Sequence, residues 1–268
     1  MTDLEGACDC HVHVFDAGWP LAPTATFQPP HAPAAAYQAV RQALGLSRVV
    51  VVQPTGYGFD NGCTLAALQQ LGPGARGVAV VPPGVPDDEL ERLHQAGMRG
   101  VRFMMLAGGV LPWAALATTA ARIAGWGWHI NLQLNGHDLP LHEATLRDLP
   151  CRLVIDHIGK FLSPVQPGSD GLLALHRLLD GGRCWIKLSA PYESSRSGPP
   201  DYADVGWLVH ELAERHPERC LWASNWPHPN IRPEPSNEAL MAWAQAQTDD
   251  DATWRRMLVD NPARLYGF

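Results

Sequence analysis

Two histidines placed two positions apart are the first residues of this chain that could do chemistry. His11 and His13 lie in an apolar-leaning run that spans residues 8–15. In a β-strand, residues i and i+2 face the same side, so both imidazoles would point at one place. A single buried histidine is more often a hydrogen-bonded core residue than a ligand. Two on one strand face predict a functional site.

A neutral amide, Asn225, stands near the other end of the chain, within the segment 221–228. The surrounding residues are typical of a strand end that delivers a carboxylate into a site. A carboxylate there could take a proton from water, and an amide cannot. The identity of Asn225 therefore bears on whether a substrate is hydrolysed or only rearranged.

Composition restricts the class of protein. The chain has 268 residues, a net charge of −7 and a pI near 5.9, which argues against nucleic acid or an anionic membrane as a partner. No run of about 20 apolar residues is present, and the short acidic N-terminus is unlike a secretory signal. The six cysteines form no CxxC pair, as expected for small core residues in a reducing compartment. We expect a cytoplasmic protein; zinc at Cys8 and Cys10 is the disfavoured alternative.

Short β-branched runs alternate with helical patterns along the chain. The predicted strands are 8–15, 48–53, 76–81, 100–104, 128–134, 152–157, 184–189 and 220–224. The predicted helices are 34–44, 64–71, 87–96, 112–123, 139–149, 171–179 and 205–215; residues 87–89 put acidic groups in a first turn, and Gly97 follows that helix. This rhythm predicts an α/β protein with one domain over residues 1–268, a (β/α)8 TIM barrel. A doubly wound sheet is the alternative, but no GxGxxG follows the first strand.

In such barrels the chemistry gathers at the carboxyl ends of the strands. The polar residues predicted there are His11, His13, Gln53, Thr55, Arg102, Asn131, Gln133, His157, Lys187, Ser189, Tyr192, Asn225 and His228. Polar residues at strand ends commonly cap helices, but so many converging on one mouth predict a catalytic pocket. Segments 20–33 and 194–202 are predicted to be loops over this mouth. Trp19, Trp113 and Trp226 are expected to pack beneath them.

The order and spacing of these motifs resemble the amidohydrolase superfamily. The resemblance rests on His11-Val12-His13, on the segments 53–61, 100–103, 155–160, 187–192 and 225–228, and on the closing stretch 261–266. More narrowly, the chain is similar to the branch of pyrone-dicarboxylate lactonases and galactarolactone isomerases. The similarity runs along nearly the whole chain and implies a lactone-processing enzyme.

The resemblance also bears on metal content. Binuclear members of the superfamily add a strand-4 lysine or glutamate and a strand-5 histidine to the HxH pair, and mononuclear members use a strand-8 aspartate. The corresponding strands of this chain offer Arg102, then Asn131 and Gln133, then Asn225. His11, His13 and His157 could hold one weakly bound zinc ion, but the cationic Arg102 disfavours a divalent ion. Because the similar lactonases work without metal, we expect no cofactor.

Without a metal, a lactone carbonyl must be polarised by hydrogen bonds and positive charge. We assign this role to a combination of His11, His13 and His157. Arg102 matches a substrate carboxylate through its bidentate fork, with a salt bridge to a nearby acid as the alternative. Further contacts to the substrate are predicted from Thr55, Tyr57, Asn131, Gln133, Ser189, Tyr192 and His228. Such a polar set suits a sugar-acid lactone better than a flat, doubly charged pyrone, for which the similar enzymes carry further arginines.

Asn225 then separates two reactions. A site that polarises the carbonyl without activating water favours attack by the substrate's own hydroxyl, which is already at high effective concentration. We therefore expect a galactaro-1,5-lactone-like compound to become the 1,4-lactone, with His157 or another imidazole moving the proton. One alternative is a hydrolase that recruits His228 or Glu193 as base, or in which Asn225 replaces an original aspartate. The other is a non-catalytic barrel that binds sugar acids.

Overall fold

Eight parallel strands follow one another around a single sheet in chain order, in a computed structural model that describes residues 5–229 and 231–268. The strands are β1 Cys8–Val12, β2 Arg48–Val52, β3 Ala75–Ala79, β4 Met98–Met104, β5 His129–Gln133, β6 Arg152–Ile155, β7 Cys184–Leu188 and β8 Cys220–Trp222. Their apolar runs are nearly continuous, because a parallel strand in a barrel is buried on both faces. Residues Val49 to Val52 of β2, for example, are all buried.

The sheet closes where the chain leaves β8. The Asn225 N–H donates to the His11 carbonyl at 3.0 Å, and the His13 N–H donates to the Trp226 carbonyl at 2.8 Å. These bonds join the last strand to the first, so no open edge remains there. The predicted TIM barrel is confirmed, and the doubly wound alternative is wrong.

Helices follow the strands as the pattern predicted, with shifted ends. They are α1 Ala34–Ala43, α2 Gly62–Leu71, α3 Asp87–Gln95, α4 Leu116–Ala124, α5 Leu139–Arg147, α6 Asp170–Asp180, α7 Ala203–Arg215, α8 Asn237–Gln245, α9 Asp251–Arg255 and α10 Asn261–Tyr266. The predicted helix 112–123 starts late because residues 113–115 form a 3₁₀ turn. No helix was predicted after β8, although Ser236 and Asp250 cap the amino ends of α8 and α9 with their side chains.

β1 is shorter than the predicted strand 8–15 and contains a bulge. The pairing register with β2 shifts between Asp9 and Val12, which changes the face that successive side chains occupy. Asp9 accepts a hydrogen bond from the Tyr37 hydroxyl of α1 at 3.0 Å, outside the sheet. His11 and His13 point to the interior instead. Beyond them, Phe15 leaves the barrel and pairs with Ala32 in an antiparallel bridge.

Apolar residues fill the barrel and the layer between strands and helices. Inside, Cys8, Cys10, Val50, Val52 and Trp185 belong to one buried cluster that Tyr266 and Leu265 complete. All six cysteines are buried with free thiols, which agrees with the prediction of small core residues. Among the helices of the described ranges, none is both long and apolar enough to cross a membrane.

Candidate active site

A pocket lies at the carboxyl ends of the strands. It holds about 530 Å³ of empty space, its open mouth included, within the range of about 300–1,000 Å³ typical of small-molecule sites. It is lined by His13, Phe15, Phe27, Pro54, Thr55, Arg102, Met104, Gln133, His157, Lys160, Glu193, Asn225 and Pro229. Phe27 comes from the segment 20–33, which has no helix or strand. Charged and amide groups from the barrel thus face rings and apolar groups from its edge.

The imidazoles of His11, in β1, and His13, just after it, form a hydrogen-bonded chain with a fixed direction. His13 Nδ1 lies 2.8 Å from the Val52 carbonyl oxygen and must donate to it, because a carbonyl only accepts. His13 Nε2 is therefore unprotonated and accepts from His11 Nε2 at 3.1 Å. This leaves His11 Nδ1 as an acceptor, and the Lys187 ammonium donates to it at 3.0 Å. Neither imidazole keeps a free N–H for a substrate.

Beneath these rings lies a buried ion pair. Lys187 Nζ is 3.1 Å from Asp156 Oδ1, and both side chains are fully buried. The ammonium also donates to Asn131 Oδ1 at 2.6 Å, and the Asn131 amide donates to Asp156 Oδ2 at 2.7 Å. Although burial opposes it, Lys187 and His11 hold the pKa of Asp156 well below its usual range. The carboxylate thus stays ionised, because its counter-ion is buried with it.

Three imidazoles at this mouth are held neutral. Burial, followed by the charge of Lys187, lowers the pKa of His11 well below its usual range. Burial and the nearby Arg102 do the same to the pKa of His13. Burial lowers the pKa of His157 to about 4. All three rings are consequently neutral at pH 7, with one proton each.

His157 is presented to the pocket by an unusual turn. It follows β6 with a φ of 52°, and Ile158 has a φ of 57°, in the left-handed region that non-glycine residues seldom adopt. Its Nδ1 lies 3.0 Å from the Ser189 hydroxyl. Within the described residues, its Nε2 has no hydrogen-bond partner. His157 is therefore the imidazole of the three that can exchange a proton with a ligand.

Arg102 brings a buried positive charge to the pocket. Its guanidinium donates to the Gln53 carbonyl at 3.1 Å and to Gln133 Oε1 at 2.8 Å. Its Nε is buried without a partner, and no carboxylate of the described ranges forms an ion pair with it. The predicted alternative, a salt bridge at the rim, is therefore wrong. The Arg102 guanidinium is held by neutral groups, and its positive charge is available to an anionic ligand.

Asn225 occupies the end of β8 with a φ of 63°. Its Nδ2 donates to the Tyr192 hydroxyl at 3.0 Å, which lies 2.9 Å from His228 Nδ1. His228 Nε2 continues this chain to Asn237 Oδ1 of α8 at 3.0 Å. The Asn225 Oδ1 atom is buried without a partner. The amide thus leaves an acceptor atom at the pocket wall, but the amide itself cannot serve as a base.

A second ion pair, Lys160 with Glu193, lies in the pocket wall. Burial would raise the pKa of Glu193, but the neighbouring His157 and Lys160 outweigh this and lower it. Its carboxylate is ionised at neutral pH and faces the same cavity as His157. Among the residues that line the pocket, Glu193 is consequently the carboxylate that could act as a general base.

The structure separates the predicted site residues into two sets. His13, Thr55, Arg102, Gln133, His157 and Asn225 line the pocket. The others stand behind it: His11 and Asn131 in the buried network, Ser189 against His157, Tyr192 and His228 behind Asn225, and Tyr57 bonded through its hydroxyl to the backbone of Asp16. Of the three tryptophans, Trp226 packs on Tyr37 and Trp113 on His142, while Trp19 lies against Gly62.

Sequence reasoning did not select Asp156 and Lys160, and it named Lys187 only as a strand-end residue. Each had a signal: Lys187 interrupts the buried strand Cys-Trp-Ile-Lys-Leu, and Asp156 directly precedes His157. A charged residue inside a strand with two buried faces requires a partner.

A divalent metal does not fit this donor set. The atoms of His11, Asp156 and His157 that could bind one lie within 4.8 Å of one another. However, the Lys187 ammonium already contacts both His11 Nδ1 and Asp156 Oδ1, and the strand-8 position supplies a neutral amide. A dication placed there would face the ammonium at close range.

Comparisons with known proteins agree with this barrel. The sequence profile of the Amidohydrolase family matches residues 8–268. D-galactarolactone isomerase of Agrobacterium fabrum is 33% identical over 266 residues, covering 97% of this chain and 91% of that protein. A 2-pyrone-4,6-dicarboxylate hydrolase of Comamonas testosteroni is 37% identical over 276 residues, covering 97% and 90%. An apo crystal structure from Agrobacterium tumefaciens superposes with a TM-score of 0.93 at 33% identity, covering 98% and 96% of the two chains.

The fold and the histidine-lined mouth define a TIM-barrel enzyme of the amidohydrolase type. The chain belongs to the Amidohydrolase family. The resemblance inferred from the sequence is thereby confirmed.

Proposed function

We propose that this protein acts on a small lactone that carries a carboxylate. The related proteins with assigned activities include a galactarolactone isomerase and a 2-pyrone-4,6-dicarboxylate hydrolase. The substrates of both are lactones that carry a carboxylate. Arg102, buried and without an acidic partner among the described residues, provides the site for the carboxylate. The amide and hydroxyl groups of Gln133 and Thr55 suit the hydroxyls of a sugar acid.

We further propose that the reaction is isomerisation of a galactaro-1,5-lactone to the 1,4-lactone. The observation that carries this proposal is the Asn225 amide, which lines the pocket in place of a base and whose buried Oδ1 has no partner among the described residues. Such an oxygen can accept a hydrogen bond from a substrate hydroxyl and orient it. It cannot remove a proton from water. An internal hydroxyl needs less activation than water because it is already held near the carbonyl.

The proton balance of this reaction requires one group that both accepts and donates. The O4 hydroxyl attacks C1 as its proton passes to the free Nε2 of His157, the C1–O4 bond forms and the C1–O5 bond breaks. The same proton then moves to O5, so no proton is gained or lost overall. The His157 imidazole, neutral at pH 7, can accept this proton and return it within one turnover. Lys160 supplies positive charge to the carbonyl oxygen as it becomes anionic.

Hydrolysis is the second candidate, and one observation favours it. Glu193 lines the pocket as a carboxylate beside His157, so it could activate a water molecule. His228, the other base considered from the sequence, does not line the pocket and is held by Tyr192 and Asn237. Ion pairing with Lys160 weakens Glu193 as a base, and this favours the isomerase.

The experiment that separates these reactions is turnover of D-galactaro-1,5-lactone in H₂¹⁸O, followed by NMR and mass spectrometry. Isomerisation gives 1,4-lactone without ¹⁸O, because water never bonds to C1. Hydrolysis gives open-chain diacid with one ¹⁸O atom. Diacid that forms faster than 1,4-lactone, or 1,4-lactone that carries the label, would overturn the isomerase proposal. A sample without enzyme measures spontaneous opening.

A further inference from the structure

The buried Lys187 occupies a cluster with the spacing of a metal site. His11, Asp156 and His157 offer ligand atoms within 4.8 Å of one another, all buried. Lys187 Nζ lies 3.0 Å from His11 Nδ1 and 3.1 Å from Asp156 Oδ1. A positive charge is thus already present where the nitrogen and carboxylate donors meet.

Lysine is used sparingly in this protein. The chain contains two lysines, Lys160 and Lys187, among its 20 basic residues. Both pair with a carboxylate at the carboxyl end of the barrel. The exposed ion pairs use arginine, for example Arg92 and Arg177. Lysine brings a compact point charge to the buried contacts with His11 and Asp156, whereas a guanidinium is a broad planar fork.

We propose that Lys187 is the built-in cation of this site, which takes the place of a metal ion and positions the imidazoles. His11 Nδ1 lies 3.0 Å from the Lys187 ammonium, which only donates, and 3.3 Å from Asp156 Oδ1, which only accepts. We assign the shorter contact as the hydrogen bond, so that His11 Nδ1 accepts and His11 Nε2 carries the proton. That proton is donated to His13 Nε2, and His13 in turn is protonated at Nδ1, toward Val52. Lys187 is thus a positioning residue, which fixes the two tautomers together with the Val52 carbonyl at the other end of the chain of hydrogen bonds. The inference does not depend on which lactone the enzyme uses.

The same geometry predicts what happens when the ammonium is removed. In Lys187→Ala, Asp156 loses its counter-ion and His11 Nδ1 loses its donor. The vacated space then offers a carboxylate and imidazole nitrogens, a donor set that suits Zn²⁺ or Co²⁺. In Lys187→Ala combined with Asp156→Asn, the anionic ligand is missing as well. The single variant should therefore gain a metal site that the double variant lacks.

Metal retention tests this inference. Wild type and the two variants are incubated with CoCl₂ or ZnCl₂, desalted, and analysed for metal content and for the visible absorption of bound Co²⁺. We expect about one equivalent in folded Lys187→Ala and less than a tenth of an equivalent in wild type and in the double variant. One equivalent retained by wild type, or a folded Lys187→Ala without metal, would overturn the proposal.

A second measurement on the wild type guards against a variant that does not fold. Long-range ¹H–¹⁵N NMR spectra distinguish histidine tautomers, and glutamine variants assign the signals. We expect His11 as the Nε2–H tautomer and His13 as the Nδ1–H tautomer. His11 observed with its proton on Nδ1 would contradict a positioning role for Lys187, whatever the variants do.

Discussion

At the scale of single residues, the site is defined by which atoms can still give or take a proton. His11 and His13 use their ring nitrogens on each other, on Lys187 and on Val52. His157 keeps one nitrogen for a ligand. Asn225 presents an oxygen that only accepts. This distribution of donors and acceptors, more than the presence of histidines, limits the chemistry that the pocket can perform.

The substitution Asn225→Asp tests the missing base. The left-handed backbone at this position, with a φ of 63°, is tolerated by aspartate as well as asparagine. Placing a carboxylate at this position of the pocket wall should raise the rate of diacid release by about 10²–10⁴-fold. The measurement is acid release in a pH-indicator assay with galactaro-1,5-lactone. Asn225→Ala is the control and should not gain hydrolysis; an Asn225→Asp enzyme with unchanged products would refute the role given to this residue.

Arg102 should govern affinity for the substrate's carboxylate. A hydrogen bond to a charged group contributes about 1.5–3 kcal/mol, so Arg102→Met should raise KM about 10- to 150-fold. Arg102→Lys keeps the positive charge but lacks the planar fork, so its KM should lie between those of wild type and Arg102→Met. Steady-state kinetics on the lactone acid and on its neutral methyl ester provide the comparison. The methyl ester should show little change in KM between wild type and Arg102→Met; an equal loss on both substrates would count against carboxylate binding.

The pH profile should report His157. Its pKa is lowered to about 4, and the neutral ring is the form that accepts a proton. The value of kcat/KM should therefore stay level from pH 7 to about pH 5 and fall as the pH passes through 4. An acidic limb near pH 6.5, the ordinary pKa of histidine, would be inconsistent with this assignment.

Two charge variants give opposite shifts of that limb. Glu193 raises the pKa of His157 and Lys160 lowers it, so Glu193→Gln should move the limb to lower pH and Lys160→Met to higher pH. Two shifts in the same direction would show that another group is responsible.

At the scale of elements, the seam between β1 and β8 depends on one carboxylate. Asp9 accepts from the backbone N–H groups of Ser224 at 2.9 Å and His11 at 3.2 Å. It also accepts from the hydroxyls of Ser224 at 2.6 Å and Tyr37 at 3.0 Å. The β1 bulge turns this side chain away from the pocket and places His11 inside it. The same irregularity thus closes the barrel and builds the site.

Substitution of Asp9 tests the seam. Asp9→Ala leaves two buried backbone donors unpaired, at about 1–3 kcal/mol each, so the free energy of unfolding in urea should fall by about 2–6 kcal/mol. Asp9→Asn retains an acceptor oxygen and should lose less. If Asp9→Ala lost under 1 kcal/mol, the seam would not depend on this residue.

The same residue predicts a pH dependence of stability. Burial raises the pKa of Asp9 to about 6, against the hydrogen bonds from Ser224 and the other donors, which lower it. The folded protein then binds this proton more tightly than the unfolded chain, so the contribution is present at pH 4 and is lost as the pH rises through 6. Asp9→Asn should remove this increment when urea unfolding is compared at pH 4 and pH 7.

At the scale of the whole molecule, the sequence predicts the architecture better than the site. The alternation of apolar runs and helical patterns predicts the barrel, because a parallel strand is recognisable from its own residues. Helix α8 was missed because its capping residue, Ser236, follows a proline-containing segment that reads as loop. Local patterns therefore specify the elements, with errors at their ends.

Side-chain direction was harder to predict because it depends on distant contacts. Lys187 and Asp156 are 31 positions apart in sequence and meet through strand pairing. Tyr57 was expected in the pocket, but its hydroxyl bonds to the backbone of Asp16. The left-handed turn at His157 rotates its ring in a way that no spacing rule indicates. These contacts join residues that are distant in sequence, and they form only in the folded barrel.

The scarcity of lysine has a practical consequence for labelling. Lys187 is fully buried, and the Lys160 side chain, 14% exposed, lies in the pocket wall. Reagents that acylate amines usually modify a protein at many places across its surface. Of the two lysine ε-amines in this protein, the one within their reach is that of Lys160. Acylation of that lysine would therefore report whether the pocket is occupied, and a bound lactone should slow it.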